Sequence, residues 1–150
     1  MAKPAPQPSK SNRKNTTASS LKLISHCVEC VPRADISCIP RETRGIYALL
    51  NLSGKNYNVV YIGMARARVG IRGRLNAHAK AHAKKRWSHF SVFEVWPNID
   101  ENEIQELEGL FRHVFRHDAN ANSIAKQKSF KKLSILRKAT CREWKAPYKG

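Results

Sequence analysis

The chain has 150 residues, which is enough for one domain with a buried core but not for several. Its 28 Lys and Arg against 11 Asp and Glu give a formal net charge of +17, which indicates a polyanionic partner. Nucleic acid is the leading candidate for this partner, and an anionic membrane surface is the second. No apolar run approaches the roughly 20 residues of a membrane span and no signal-peptide pattern opens the chain, so we expect a cytoplasmic protein, or a nuclear one in a eukaryote.

The first 43 residues contain two kinds of sequence. Residues 1–20 consist largely of Pro, Ser, Lys, Asn and Thr without an acid, which predicts a disordered basic arm. Residues 21–43 carry more apolar side chains and are interrupted by Pro32 and Pro40. This composition favours a short helix or an irregular lead-in that packs on the edge of the domain. The pattern assigns the lead-in no function.

The cysteines are Cys27, Cys30, Cys38 and Cys141. The spacing of the first two, directly after His26, is compatible with a zinc site, but the second close pair of ligands that such sites use is missing. A disulfide framework is not expected without an export signal. Free, reduced thiols are therefore the favoured interpretation.

Two short apolar runs, 45–50 and 59–63, are rich in β-branched and aromatic side chains and flank a polar connector with a Ser-Gly pair. This pattern predicts an antiparallel hairpin. Residues two apart on a strand share a face, as Tyr61 should with Val59, and the hairpin can hold Tyr47 and Tyr61 together. Strand tyrosines are commonly packing residues, so a purely structural role stays open here.

Residues 70–85 predict a helix, because they are rich in alanine and carry Ile71 and Leu75 four positions apart. Ten Lys and Arg but no acid occur between Thr43 and Phe93. Such a helix is suited to facing phosphates, with a merely solvated basic helix as the alternative. By the spacing of three or four, one stripe of it is formed by Arg74, His78, Ala81 and Lys85.

Residues 87–96 alternate in part and predict a third strand beside the hairpin. Asp100 then begins the most regular helix of the chain. Its apolar stripe recurs at threes and fours and consists of Ile104, Leu107, Leu110, Phe111, Val114 and Phe115. Glu108 lies at the margin of this stripe, where a carboxylate needs a partner or a metal ion.

The rest of the chain is predicted to close the domain. Residues 118–123 have the composition of a loop, and 126–138 are strongly basic with interleaved apolar side chains, which favours a closing element with a phosphate-facing side. We place the domain at 44–138 and a basic tail at 139–150. The expected architecture is a small α/β domain of the α+β type, with a three-stranded antiparallel sheet flanked by helices.

Several motifs now stand in a characteristic order: Gly45-Ile46-Tyr47, Tyr61-Ile62-Gly63, Arg74 and His78 one turn apart, a helical Glu108, and an asparagine in the next loop. Over about residues 44–125 this order resembles the GIY-YIG nuclease family. The resemblance implies a metal-dependent DNA endonuclease that hydrolyses phosphodiester bonds and leaves 5′-phosphate and 3′-hydroxyl ends. It implies Mg²⁺ or Mn²⁺ as the cofactor and DNA as the partner, with no membrane and no small-molecule substrate. The alternative is a catalytically inactive basic DNA-binding module of the same fold.

The resemblance also implies roles for the aromatic residues. Tyr47 would activate or deliver the attacking water, either as a phenolate or through the hydrogen-bond network that it shares with Tyr61. Tyr61 would position water and phosphate. His78 would orient the site or assist proton transfer. An ordinary tyrosine titrates near pH 10, so a basic role at neutral pH requires nearby positive charge or a water relay.

The remaining implied roles concern charge and support. Arg74 would bind the scissile phosphate, and its spacing to His78 favours it over Arg72 for this role. Glu108 would be the sole protein ligand of one divalent cation. Asn122, or Asn120 in the other register, would support the site by hydrogen bonding. The basic residues expected to contact the DNA backbone are Arg66, Arg68, Arg72, Lys80, Lys84, Lys85 and Arg86.

Overall fold

The computed structural model describes residues 20–81 and 86–134. Four strands form one antiparallel sheet in the order β1-β4-β2-β3, and they comprise β1 (Ile24–Pro32), β2 (Gly45–Ser53), β3 (Asn56–Ala65) and β4 (His89–Val95). The helices are α1 (Gly70–Ala81), α2 (Glu101–Val114) and the short α3 (Lys131–Ser134), and a 3-10 helix at Arg33–Cys38 follows β1. The α+β class is therefore as expected, whereas the sheet has one strand more than predicted.

The additional strand lies in the lead-in, where a helix or irregular segment was expected. β1 pairs with the edge of β4 that β2 leaves free, with Val28 opposite Val92. The register shifts twice along this pairing, and Cys30 has a φ of 53°. Each irregularity breaks the alternation of apolar and polar side chains by which a strand is recognised. The prediction was wrong because the pattern that it needed is interrupted.

The predicted hairpin is confirmed, but its strands are longer than the apolar runs. The predicted connector 51–58 is mostly paired strand, since Asn51 faces Asn58 and Leu52 faces Tyr57. The turn is confined to Gly54 and its neighbour, and Gly54 has a φ of 60°, which glycine adopts without steric cost. Ladder hydrogen bonds join backbone groups, so polar side chains do not end a strand.

A bulge near the middle of the hairpin makes the predicted side-chain faces of β3 wrong. The register shifts between Leu49 and Leu50, so that Leu49 faces Tyr61 while Leu50 faces Val59. Val60 is the extra residue. Val59 consequently packs on one side of the sheet and Tyr61 on the other, contrary to the expectation that they share a face.

The other predicted elements hold with small differences. α1 begins at Gly70 as predicted, and residues 82–85 of the predicted helix lie outside the described residues. The third predicted strand, β4, is shorter than 87–96. α2 follows Asp100, which caps it: the Asp100 carboxylate accepts from the backbone N–H of Glu103 at 2.9 Å, and the Glu103 carboxylate accepts from that of Asp100 at 2.8 Å.

The two faces of the sheet carry separate hydrophobic cores. On one face α1 packs through Ile71 and Leu75 onto a cluster that includes Tyr47 and Trp87. On the other face α2 packs through Ile104 onto Ile46, Ile62, Val95 and Ile99. Adjacent residues of β2 therefore serve different cores, as strand alternation requires. The sheet lies between two helices that each reach the same hairpin.

The closing element is described only in part. The ring of Phe130 packs directly on Gly109 of α2, and a Cβ added at Gly109 would lie 2.6 Å from the Phe130 Cδ2. α3 follows at once, and residues 135–138 of the predicted closing element, the tail 139–150 with Cys141, and the arm 1–19 lie outside the described residues. Within the described part, Cys27, Cys30 and Cys38 are free thiols, and no helix has the length and apolar character to cross a membrane.

Candidate active site

The two hairpin tyrosines lie side by side because β2 and β3 are paired. Their ring centroids are 6.1 Å apart. Gly63, directly opposite Tyr47, makes this approach possible: a Cβ at Gly63 would lie 2.7 Å from the Tyr47 Oη and 2.7 Å from the Tyr61 Cε1. Such distances are well inside van der Waals contact, so a residue larger than glycine would separate the phenols.

His78 approaches both phenols from α1. Its Nε2 lies 2.9 Å from the Tyr47 Oη, and its ring centroid lies 4.8 Å from that of Tyr61. The tautomer of His78 decides the direction of the bond. With Nε2 unprotonated, Tyr47 donates to His78. With Nε2 protonated, Tyr47 accepts from His78 and its single proton is free to bond Tyr61.

Both phenols are held in the neutral form. Tyr47 is only 2% exposed, and burial, followed by the charge of the neighbouring Tyr61, raises its pKa well above the ordinary 10.0. Burial also raises the pKa of Tyr61, with the charge of Glu108 adding to the effect. Tyr47 therefore carries its proton at neutral pH. Of the two roles considered for it, proton relay fits this environment and a standing phenolate does not.

Arg74 supplies positive charge to the same place. Its guanidinium lowers the pKa of Tyr47, Tyr61 and Glu108, so it lies within electrostatic reach of all three. The side chain is exposed and lines a cleft of about 310 Å³ together with Met64. An exposed arginine beside the buried phenol of Tyr47 and the half-buried phenol of Tyr61 is suited to binding an anion that enters the cleft.

Glu108 extends from α2 to the edge of the hairpin. Its side chain is 13% exposed, and one oxygen lies 3.7 Å from the Nη1 of Arg112. Burial raises the pKa of Glu108, while Arg112, a backbone hydrogen bond from Met64 and Arg74 lower it without cancelling the effect of burial. Sequence analysis missed Arg112, although its position four residues after Glu108 is the spacing of a helical ion pair.

The acidic residues near the cleft restrict the kind of metal site that is possible. Within residues 20–81 and 86–134, no group of three or more His, Cys, Asp or Glu side chains is placed to hold an ion. Glu108 has about four lone-pair sites, and the contact with Arg112 is too long for a hydrogen bond. A single carboxylate supplemented by water fits Mg²⁺, which keeps much of its hydration shell.

Asn122 and Asn120 differ in how they are used. The Asn122 amide nitrogen donates to the carbonyl of Asp118 at 2.6 Å and lies within 3.4 Å of two further carbonyls at the end of α2. Its Oδ1 accepts from the Gln127 backbone N–H at 2.6 Å. These bonds are all within the loop, so Asn122 orders the segment after α2. Asn120 is exposed and lines a cleft with Arg86 and Asn51.

The predicted DNA-contacting residues are only partly gathered around the site. Arg66 and Arg68 line the cleft of Arg74, and Arg66 also pairs with Glu101 at 3.2 Å. Arg72 lines the neighbouring cleft. Arg86 donates to the Ser123 carbonyl at 3.0 Å and lies apart, while Lys80 is exposed near the end of α1. Lys84 and Lys85 lie outside the described residues.

Comparison of the chain with protein-family models, with curated proteins and with solved structures finds no match. The resemblance to the GIY-YIG nucleases thus depends on the motif residues themselves.

Proposed function

We propose that this protein is a Mg²⁺- or Mn²⁺-dependent DNA endonuclease of the GIY-YIG type. The observation that carries the proposal is the convergence of five side chains from β2, β3, α1 and α2. Tyr47 and His78 are hydrogen-bonded, Tyr61 lies against both, and Arg74 and Glu108 act electrostatically on the phenols. Phosphodiester hydrolysis needs a proton acceptor for water, positive charge at the phosphate and a cation. The cluster offers a group for each need.

The proton path follows from the protonation state of Tyr47. Because Tyr47 is neutral, it acts as a relay: it takes a proton from the attacking water while its own proton passes to Nε2 of His78. The water oxygen forms the new bond to phosphorus, the bond from phosphorus to the 3′-oxygen breaks, and that oxygen takes up a proton from solvent. This path requires His78 in the tautomer with Nε2 unprotonated.

The charged residues have separate tasks. Arg74 binds the phosphate and offsets the charge that develops on its non-bridging oxygens. Glu108 would hold the cation, which when bound supplies positive charge to the phosphate and to the departing oxygen. The Met64 N–H holds the Glu108 carboxylate at β3 by a hydrogen bond, and Arg112 on the same helix stabilises its charge. Tyr61 packs against the rings of Tyr47 and His78 and restricts the rotation of both.

DNA is favoured as the substrate by the charge of the chain and by the cleft. The formal net charge of +17 and the row of arginines beside Arg74 suit a polyanion rather than a small ligand. The same charge would also serve a binding module that does not cut. All the residues that the family motifs require are present in this chain, which argues for cleavage. A module that only binds DNA would not need a carboxylate such as Glu108 at the margin of a core.

The test is cleavage of supercoiled plasmid with Mg²⁺ by the parent and by Tyr47→Phe, Arg74→Ala and Glu108→Gln. Each variant is expected to cut about 10²- to 10⁴-fold more slowly. Glu108→Gln and Tyr47→Phe should still bind DNA. Tyr57→Phe is the matched control, because Tyr57 is on β3 but 42% exposed. A parent that binds plasmid, branched DNA and single strands but cuts none of them would identify a binding module instead.

A further inference from the structure

A second basic cleft lies next to the one that contains Arg74. It has a volume of about 450 Å³ and is lined by Arg41, Glu42, Arg68, Val69, Arg72 and Asn76, among others. The two clefts share the side chains of Arg68 and Val69. Three guanidinium groups thus surround a depression that adjoins the proposed phosphate site. One of them, Arg41, comes from the lead-in segment to which the sequence assigned no function.

Arg41 is held at this position by the backbone. The Ile71 N–H at the start of α1 donates to the Thr43 carbonyl at 2.8 Å, and the Thr43 hydroxyl donates to the Pro40 carbonyl at 3.0 Å. Gly70 has a φ of 68°, and a Cβ there would collide with the Arg41 carbonyl. The loop before β2 is therefore fastened to the first turn of α1, and Arg41 is fixed beside Arg72.

The positive charge of this cleft is only partly offset within the described part of the chain. The ion pairs among residues 20–81 and 86–134 are those of His26 with Glu94, Arg66 with Glu101 and Arg112 with Glu108. Arg41, Arg68 and Arg72 belong to none of them. Glu42 lines the same cleft and offsets one of the three charges. The remaining excess suits a monoanionic backbone phosphate, which a guanidinium can bind through two parallel hydrogen bonds.

We propose that this cleft binds a DNA phosphate that flanks the scissile phosphate on the same strand. The strand then runs from Arg74 past Arg68 to Arg41 and Arg72. This assignment rests on the proposed nuclease function and extends it by giving the strand a direction across the surface. It also gives the lead-in a role, because the contact with Arg41 extends the length of DNA that the protein binds on one side of the cut.

The first experiment measures DNA binding without cleavage. The variants Arg41→Ala and Arg41→Gln are made in the Glu108→Gln background, and the affinity for a duplex is measured by fluorescence anisotropy from low to moderate salt. Loss of one phosphate contact should weaken binding several-fold and reduce the slope of log K against log salt by about 0.9. Lys55→Ala removes the same charge at the exposed hairpin turn and should leave the slope unchanged. Melting temperatures verify that each variant is folded.

The second experiment finds the phosphate. In the active protein, cleavage at one mapped bond fixes the register, and single phosphates on either side are replaced by neutral methylphosphonates. At one flanking position the replacement should lower kcat/KM of the parent several-fold but leave Arg41→Ala unaffected, since the partner is already gone. Equal sensitivity of parent and variant at every position, or equal salt slopes for Arg41→Ala and Lys55→Ala, would overturn the assignment. A parent that never cuts overturns the nuclease function and the position beside a scissile phosphate, whereas the salt slopes decide separately whether the cleft binds a DNA phosphate.

Discussion

The Oη of Tyr47 lies 2.9 Å from the Nε2 of His78, across the interface between β2 and α1. This bond joins a buried phenol to the residue that lies one turn after Arg74 on the helix. It connects the architecture to the proposed chemistry, because the same contact joins α1 to the sheet and is the proton path that we propose.

The bond predicts a measurable coupling between the two residues. In a double-mutant cycle of Tyr47→Phe, His78→Ala and both together, the interaction should contribute about 1 kcal/mol to the free energy of unfolding, as a partly buried hydrogen bond between side chains does. Urea denaturation supplies the values. Additive effects of the two substitutions would show that the contact stabilises nothing.

The raised pKa of Tyr47 predicts its behaviour in alkali. The folded chain holds this proton more tightly than the unfolded chain, in which the phenol titrates near 10.0, so stability is unaffected below that pH and falls above it. In an ultraviolet titration of the folded proteins, the parent and Tyr47→Phe should show the same phenolate absorbance near pH 10, because Tyr47 does not ionise there. In concentrated urea the same variant should lose the absorbance of one phenol, which is the internal control.

Gly63→Ala is predicted to disturb the site more than the fold. The new methyl group would meet both phenols at 2.7 Å, and the resulting displacement should cost about 1–3 kcal/mol of stability and most of the cleavage activity. Gly54→Ala meets nothing within 4 Å but has a φ of 60°, so it should cost about 1 kcal/mol and leave cleavage intact. Calorimetry and plasmid cleavage of the two variants make the comparison. Full activity of Gly63→Ala would argue against a shared role of the tyrosines.

Glu108→Gln is predicted to stabilise the protein in a pH-dependent manner when a chelator is present. Burial raises the pKa of Glu108 above its ordinary 4.5, so the folded chain binds the proton more tightly and stability falls as pH rises through the window above 4.5. The glutamine has no such loss, and the difference between the two proteins should vanish in acid. Glu106→Gln, on the exposed side of the same helix, is the matched control. A difference that does not change with pH would contradict the burial of Glu108.

Asn122→Ala is predicted to act through the loop rather than through chemistry. The substitution leaves the Gln127 N–H and the Asp118 carbonyl without their partner and should cost about 1–3 kcal/mol. Asn120→Ala removes an exposed amide of the same loop and should cost little. If cleavage is compared well below the melting temperature, a large loss of kcat in folded Asn122→Ala would place this residue in the catalytic site after all.

The lead-in illustrates why some of the fold could not be predicted. β1 is a strand because the edge of β4 offers it hydrogen-bonding partners far away in sequence, and its own pattern is broken by bulges. The same applies to the faces of β3, where the extra residue Val60 puts the side chains of Val59 and Tyr61 on opposite faces of the sheet. Both features depend on pairing between distant segments, which local alternation does not contain.

The sequence by itself determined the hairpin and α2 with its Asp100 cap, and it singled out the residues that we propose for the site. These follow from local rules: side-chain alternation, helical periodicity, capping chemistry and the order of short motifs. The tertiary structure decided what those residues experience. Burial keeps the Tyr47 proton in place, the Tyr47 Oη meets the Nε2 of His78 on α1, and Arg41 comes to lie beside Arg72. Charge, desolvation and proximity between distant segments act through space, and a linear pattern carries no information about distances in space.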